Sequence, residues 1–155
     1  MLHSLRQRTS DEGGFTLIEL LVVILIIGIL AAIAIPALLS QKAKAYDSSA
    51  KTVAQTAQTA METFSTENGG LYTGGTKAKL KEIEPSLNTG TNASEAALLE
   101  TTITGGNEYK VTAEAQNTGD KYTITREASG NVKHTCASSA SVKGCPGKTE
   151  SSESW

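Results

Sequence analysis

The sequence predicts an α+β protein in which one long N-terminal helix packs on a small C-terminal antiparallel sheet. Three observations predict this class. The 22 residues from Leu20 to Gln41 carry no charge, and most are aliphatic. From Leu39 to Phe64, apolar residues recur at alternating steps of four and three, as on one face of an amphipathic helix. From Asn107 onward, apolar and polar residues alternate with a period of two, which is typical of strands.

Size, charge and residue types limit what the chain can do. Its 155 residues suffice for one domain, and a net charge of −2 excludes the strongly basic surface of a dedicated nucleic-acid binder. No nucleophile–base pair, carboxylate dyad or phosphate-binding loop is apparent, so the sequence predicts no enzyme and no cofactor. His134, Cys136 and Cys145 are three candidate metal ligands without a fourth, so no metal site is predicted.

The apolar run near the N-terminus has the length of a membrane span, for which about 20 residues are needed. A plain membrane anchor would explain the length but not Glu19, a carboxylate in the first turns of the run. An ordinary signal peptide cut after Ala34 is a second interpretation. Against it, the apolar run is long for a signal peptide, and the helical pattern continues past the cut.

A third interpretation accounts for every unusual feature of this segment. Gly14 followed by Phe15-Thr16-Leu17-Ile18-Glu19, directly before an aliphatic stretch, resembles the processing site of type IV prepilins. The resemblance is close from residue 13 to about residue 60. It implies a pilin fold, and a prepilin peptidase that cleaves between Gly14 and Phe15 and N-methylates Phe15. The chain would then comprise a leader (1–14), a transmembrane and filament-core helix (15–39) and a head (40–155).

The same resemblance implies a function, partners and a location. The chain would be a structural subunit of an extracellular type IV pilus, a helical filament of identical subunits that serves adhesion, twitching motility or DNA uptake. Its partners would be the prepilin peptidase and the assembly platform and ATPase, with no specific nucleic-acid site. The subunit would lie in the inner membrane before assembly and on the cell surface afterwards. The alternatives are a pseudopilin of a type II secretion system, a minor pilin or, less favoured, a secreted globular domain.

Glu19 is expected to set the register of assembly. After cleavage, the new amine of Phe15 and the carboxylate of Glu19 lie one helical turn apart. Both charges are costly in an apolar medium unless they are paired. We expect Glu19 to pair with the amine of a neighbouring subunit, a role that the resemblance also implies. A pair with the Phe15 amine of the same chain is the alternative.

The helix is expected to run from Phe15 to about Glu67, because Asn68-Gly69-Gly70 is a strong stop signal. Gly28 and Pro36 weaken it, since glycine has low helix propensity and proline cannot donate to the carbonyl four residues before it. One interpretation is a mild kink in a continuous helix. The resemblance implies instead a stretch that loses helical bonds on assembly. We expect a bend in the isolated subunit and partial melting in the filament.

The head is expected to contain a polar loop, a sheet and a disulfide. One short helix is predicted at Lys77–Glu84, and a second at Ser94–Glu100. Three strands follow, around Tyr109–Ala115, Tyr122–Thr125 and Val132–Cys136. With an exported head, Cys136 and Cys145 are expected to form a disulfide, as is common in the family. In the polar tail, Trp155 is expected to dock on a neighbour or to be exposed.

Overall fold

The computed structural model describes residues 14–90 and 95–138, Cys145 and Trp155. The predicted leader lies outside the described residues except for Gly14, and so does the predicted tail except for Trp155. The elements in chain order are α1 (Leu17–Glu67), α2 (Lys77–Ile83), β1 (Ala97–Thr104), β2 (Glu108–Glu114), β3 (Lys121–Arg126) and β4 (Val132–Ala137). The α+β class with a long N-terminal helix is therefore confirmed.

Two compact units divide the chain, one up to Leu38 and one from Leu39 to Trp155. Helix α1 contributes to both units. By length and composition, α1 is the one helix in the described part of the chain that could cross a membrane. The predicted division into residues 1–14, 15–39 and 40–155 stays a prediction.

Helix α1 ends where the sequence predicts. Its last turn closes through the Gly70 N–H, which donates to the Ser65 carbonyl at 2.7 Å. Gly69 and Gly70 take φ angles of 67° and 86°, which a residue with a Cβ rarely adopts. The left-handed conformation of these glycines turns the backbone back on the helix end, so that the Gly70 N–H reaches a carbonyl of the last turn.

The sheet has the order β1-β2-β3-β4, and every neighbouring pair is antiparallel. It packs on the face of α1 that carries small side chains, which allow close approach. Tyr109, Val111, Tyr122 and Ile124 from the two central strands are almost completely buried. The buried alanines of α1 are Ala43, Ala50, Ala54, Ala57 and Ala60.

One predicted element is wrong. The helix expected at Ser94–Glu100 is replaced by strand β1, which pairs with β2 from Ala97↔Glu114 to Thr104↔Glu108. The run Ala-Ala-Leu-Leu-Glu favours a helix locally, but the following Thr-Thr-Ile-Thr is β-branched and favours a strand. Pairing along β2 and burial of Leu98 decide between them. The predicted three strands are therefore part of a four-stranded sheet. Helix α2 forms as predicted, with Thr76 as its N-cap.

Glu62 of α1 joins the helix to the loop and the sheet. Its carboxylate accepts hydrogen bonds from the hydroxyls of Tyr72 and Tyr109, each at 2.8 Å, and from the Arg126 guanidinium at 3.3 Å. The rings of Tyr72 and Tyr109 pack edge to face with centroids 4.7 Å apart. Burial, with the nearby Glu62 charge, raises the pKa of Tyr109, so this hydroxyl stays a donor.

The C-terminal part of the head is held by a disulfide and by an indole. Cys136 and Cys145 are both buried and form the expected disulfide, with Cα atoms 5.9 Å apart. Trp155 is partly buried against its own head, while its expected docking on a neighbour stays a prediction. Its Nε1 donates to the Thr135 carbonyl at 2.9 Å, and its ring packs against Tyr122 of the same chain. The indole therefore completes the core of its own head.

Candidate processing and assembly site

Gly14 and Phe15, the residues of the predicted cleavage site, lie just before the first turn of α1. The Phe15 side chain is 89% exposed. A Cβ placed on Gly14 would have no atom within 4 Å, so the fold itself does not require glycine there. The bond between these residues therefore lies in an open position among the described residues.

Thr16 and Glu19 form a capping box at the start of α1. The backbone N–H and the hydroxyl of Thr16 each donate to Glu19 Oε2 at 2.8 Å. In return, the Glu19 N–H donates to the Thr16 hydroxyl oxygen at 3.2 Å. This reciprocal arrangement satisfies N–H groups that the first turn cannot pair internally. The carboxylate also lies at the positive end of the helix dipole, which favours its ionised form.

Sequence analysis missed the role of Thr16. The signal was present as the pattern Thr-x-x-Glu directly before an apolar run, which marks a helix start. The sequence suggested two possible partners for Glu19, an amine of the same chain and an amine of a neighbour. The structure adds a third partner, and that partner fixes the rotamer of the carboxylate before any subunit approaches.

A continuous apolar surface begins on both sides of Glu19 and runs along α1 to Leu39. Gly28 lies in a shallow depression of this surface, and a Cβ at Gly28 would meet nothing within 4 Å. A surface of this extent on a protein marks contact with a membrane or with another protein. Its exposed side chains include Leu17, Ile18, Leu20, Leu21, Val22, Val23, Ile24, Leu25, Ile26, Ile27, Ile29, Leu30, Ile33, Ile35, Leu38 and Leu39.

Pro36 lies inside α1, and the helix continues through both Gly28 and Pro36. Because proline has no N–H, the Ala32 carbonyl lacks its usual donor four residues on. Among the described residues, the helix is thus continuous but locally short of one bond. The expected bend and the expected melting in the filament both stay predictions.

The predicted site residues fall into separate groups. Gly14, Phe15 and Glu19 lie together at the start of α1, while Gly28 and Pro36 lie further along the same helix. The disulfide of Cys136 and Cys145 belongs to the other unit. Within the described ranges, no group of three His, Cys, Asp or Glu residues is placed to hold a metal ion.

Comparison with known proteins identifies the N-terminal segment. The family model described as "Prokaryotic N-terminal methylation motif" matches residues 9–35. The type IV major pilin protein PilA of Myxococcus xanthus is 52% identical over 54 residues, which are 35% of this chain and 24% of that protein. A fimbrial protein of Moraxella nonliquefaciens is 50% identical over 66 residues, which are 43% of this chain and 42% of that protein.

The match therefore covers less than half the length of either relative. No solved structure matches the chain significantly. The matched motif spans the capping box and the first part of the exposed apolar helix. The chain thus carries the prokaryotic N-terminal methylation motif at residues 9–35 and is similar over part of its length to a type IV major pilin and to a fimbrial protein.

Proposed function

We propose that this chain is a structural subunit, not an enzyme, of an extracellular type IV pilus. The observation that carries the proposal is the methylation motif, which covers the capping box of Thr16 and Glu19 and the first part of an exposed apolar helix. The filament would serve adhesion, twitching motility or DNA uptake. Assembly would use a platform and an ATPase at the inner membrane, where the subunit lies before assembly.

Processing is the first step of the proposed pathway. A prepilin peptidase cleaves between Gly14 and Phe15 and methylates the new amine of Phe15. Mass spectrometry of the purified subunit tests this step, because the mature chain should begin with a methylated Phe15. Gly14→Leu should keep the protein at precursor size, while Gly13→Leu is the matched control on the neighbouring glycine. Normal maturation of Gly14→Leu would contradict the proposed cleavage site.

Docking of the subunit is the second step, and Glu19 would direct it. Both hydrogen bonds that the Glu19 carboxylate accepts from Thr16 go to Oε2, so Oε1 is the oxygen that would accept from the amine of a neighbouring subunit. Two unit charges about 4 Å apart attract by ~4 kcal/mol at an effective dielectric constant near 20, before desolvation is subtracted. The pair would therefore favour one stagger between adjacent subunits.

Burial of the apolar helix is the third step. Identical helices from other subunits would replace lipid around α1 as the filament grows. Gly28 and Pro36 would let this part of the helix lose bonds and extend during assembly. The weakened bonding next to Pro36 supports this role, because fewer helical hydrogen bonds have to break there.

Electron microscopy of sheared surface filaments tests the proposed function as a whole. Glu19→Val should be processed and inserted in the membrane, yet yield few or no filaments, because the register-setting charge is lost. Glu67→Val, at the exposed far end of the same helix, is the matched control and should assemble normally. Abundant normal filaments from Glu19→Val would overturn the docking role, and sheared filaments lacking this protein would overturn the function.

A further inference from the structure

Asp47 of α1 is a buried carboxylate with incomplete hydrogen bonding. Only 3% of the surface of Asp47 is exposed to solvent. Oδ1 accepts a hydrogen bond from the Thr118 hydroxyl at 3.0 Å, whereas Oδ2 has no partner among the described residues. Among the buried side-chain polar atoms of the described residues, the Tyr122 hydroxyl is the other one that lacks a partner. Unpaired buried polar groups are uncommon in folded proteins, so this pair requires an explanation.

The groups around Asp47 disfavour its charge. Burial, and the negative charge of the buried Asp120 in the β2–β3 turn, raise the pKa of Asp47. That pKa is lowered by the Thr118 bond, by the nearby Tyr122 hydroxyl and by the positive charge of Lys51, one turn further along α1. The Lys51 ammonium also lies over the ring of Tyr122, 5.2 Å from its centroid, and does not form an ion pair with Asp47.

We propose that Asp47 holds a proton in the folded head and donates it to the Tyr122 hydroxyl oxygen, so that the attachment of α1 to β3 and the β2–β3 turn depends on pH. A protonated carboxyl has an O–H donor where the ionised group has only acceptors. The Tyr122 hydroxyl could instead donate to an ionised Asp47, so the two orphaned atoms alone do not decide the protonation state. Protonation pairs both atoms with Asp47 as the donor. It also removes one of two neighbouring buried negative charges. This inference goes beyond the proposed function and does not depend on filament assembly.

The direction of the pH effect follows from linkage. A carboxyl whose pKa is raised by folding binds its proton more tightly in the folded state. Its contribution to stability is fully present below the ordinary value of 3.8 and is lost as pH rises through the higher folded value. Glu84 and Glu127 act oppositely, since bonds from Ser86 and from Lys133 lower their pKa values. The Asp47 contribution must therefore be isolated by a variant.

Asp47→Asn mimics the protonated side chain. Its oxygen can still accept from Thr118, and its amide N–H can donate to the Tyr122 oxygen. The test compares the urea unfolding of the full chain and of Asp47→Asn in detergent micelles across acidic to neutral pH. Emission of Trp155, the single tryptophan, reports on the head. The ratio of the two unfolding constants should be flat in acid and then grow about tenfold per pH unit between the unfolded and folded pKa values.

Two control variants test whether the pH-dependent stability comes from Asp47 and Tyr122 or from the loss of any carboxylate charge. Glu67→Gln, an exposed carboxyl on the same helix, should show no such pH-dependent ratio. Tyr122→Phe removes the acceptor of the proton, so it should weaken the pH dependence of the wild type. A stronger pH dependence in Tyr122→Phe would overturn the proposal, because it would mean that Tyr122 donates to an ionised Asp47.

The proposal would also be overturned if the ratio of the unfolding constants of the wild type and Asp47→Asn did not change with pH. If Asp47→Asn does not fold, carbon-13 titration of the Asp47 carboxyl in the wild-type chain decides. A midpoint above the ordinary value supports the protonated form, and a midpoint at or below that value overturns it.

Discussion

Removal of the Glu62 carboxylate is the perturbation that we expect to weaken the head most clearly. This single side chain accepts hydrogen bonds from two tyrosines and one arginine that come from three different parts of the head. Glu62→Ala would leave the hydroxyls of Tyr72 and Tyr109 without their acceptor. These residues are only 4% and 1% exposed, so water can replace the lost bonds only in part.

The size of the effect follows from these contacts. Each buried hydroxyl left without a partner costs about 1–3 kcal/mol. The Arg126–Glu62 ion pair adds little, because the two side chains are 32% and 38% exposed and solvent screens them. We therefore expect Glu62→Ala to lower the free energy of unfolding by about 3 kcal/mol. That is a large part of the roughly 5–15 kcal/mol that stabilises a typical domain.

Urea unfolding of the full chain in detergent micelles, followed by Trp155 emission, measures this loss. Glu67→Ala is the matched control, because it makes the same change at an exposed position on the same helix and should shift stability by less than about 0.5 kcal/mol. Tyr109→Phe and the double variant with Glu62→Ala complete a thermodynamic cycle. The coupling energy should be about 1–2 kcal/mol.

Two results would refute this reasoning. Stability of Glu62→Ala within about 0.5 kcal/mol of the wild type would mean that the hydroxyls find other partners at no cost. A coupling energy near zero between Glu62 and Tyr109 would mean that their bond contributes nothing net. Either result would leave apolar packing of the alanine face of α1 as the principal attachment of the helix to the sheet.

Three further changes test other parts of the structure. Replacing Cys136 and Cys145 together by serine should cost about 2–3 kcal/mol in urea unfolding, because a ten-residue loop is no longer closed; unchanged stability would contradict this. Gly28→Ala meets no atom within 4 Å and should stabilise α1 by about 1 kcal/mol in thermal melts by circular dichroism. If melting near Gly28 accompanies assembly, this variant should also give fewer filaments; a less stable helix would refute the first expectation and an unchanged yield the second. Thr16→Val should speed amide exchange in the first turn by removing a cap worth about 1 kcal/mol, whereas Thr16→Ser should not; equal rates would argue against the capping box.

Local signals predicted the helix and its end. The apolar stripe, the Asn68-Gly69-Gly70 stop and the short helix predicted at Lys77–Glu84 are all encoded by neighbouring residues, so the sequence was sufficient for them. The motif at Gly14, Phe15 and Glu19 was equally local. Each of these features depends on residues within a few positions of one another.

Features that depend on distant partners were missed. Strand β1 contains a run of good helix formers, and only its pairing with β2 makes it a strand. Glu62 lies 47 residues before Tyr109 in the sequence, and no pattern around either residue marks their bond. The docking of Trp155 likewise depends on a carbonyl 20 residues away. Pairing across the fold selects these contacts, and periodicity along the chain does not reveal them.

The exposed face of α1 carries a row of threonines whose hydroxyls are turned back onto the helix. Thr52, Thr59 and Thr63 donate to the carbonyls four residues before them, and Thr66 donates to the carbonyl three residues before it. Hydroxyls bonded in this way need fewer hydrogen bonds from water, and each threonine also carries a methyl group. This helix face is polar by residue type but partly hydrocarbon in character. Removing water from it should therefore cost less free energy than the count of polar residues indicates.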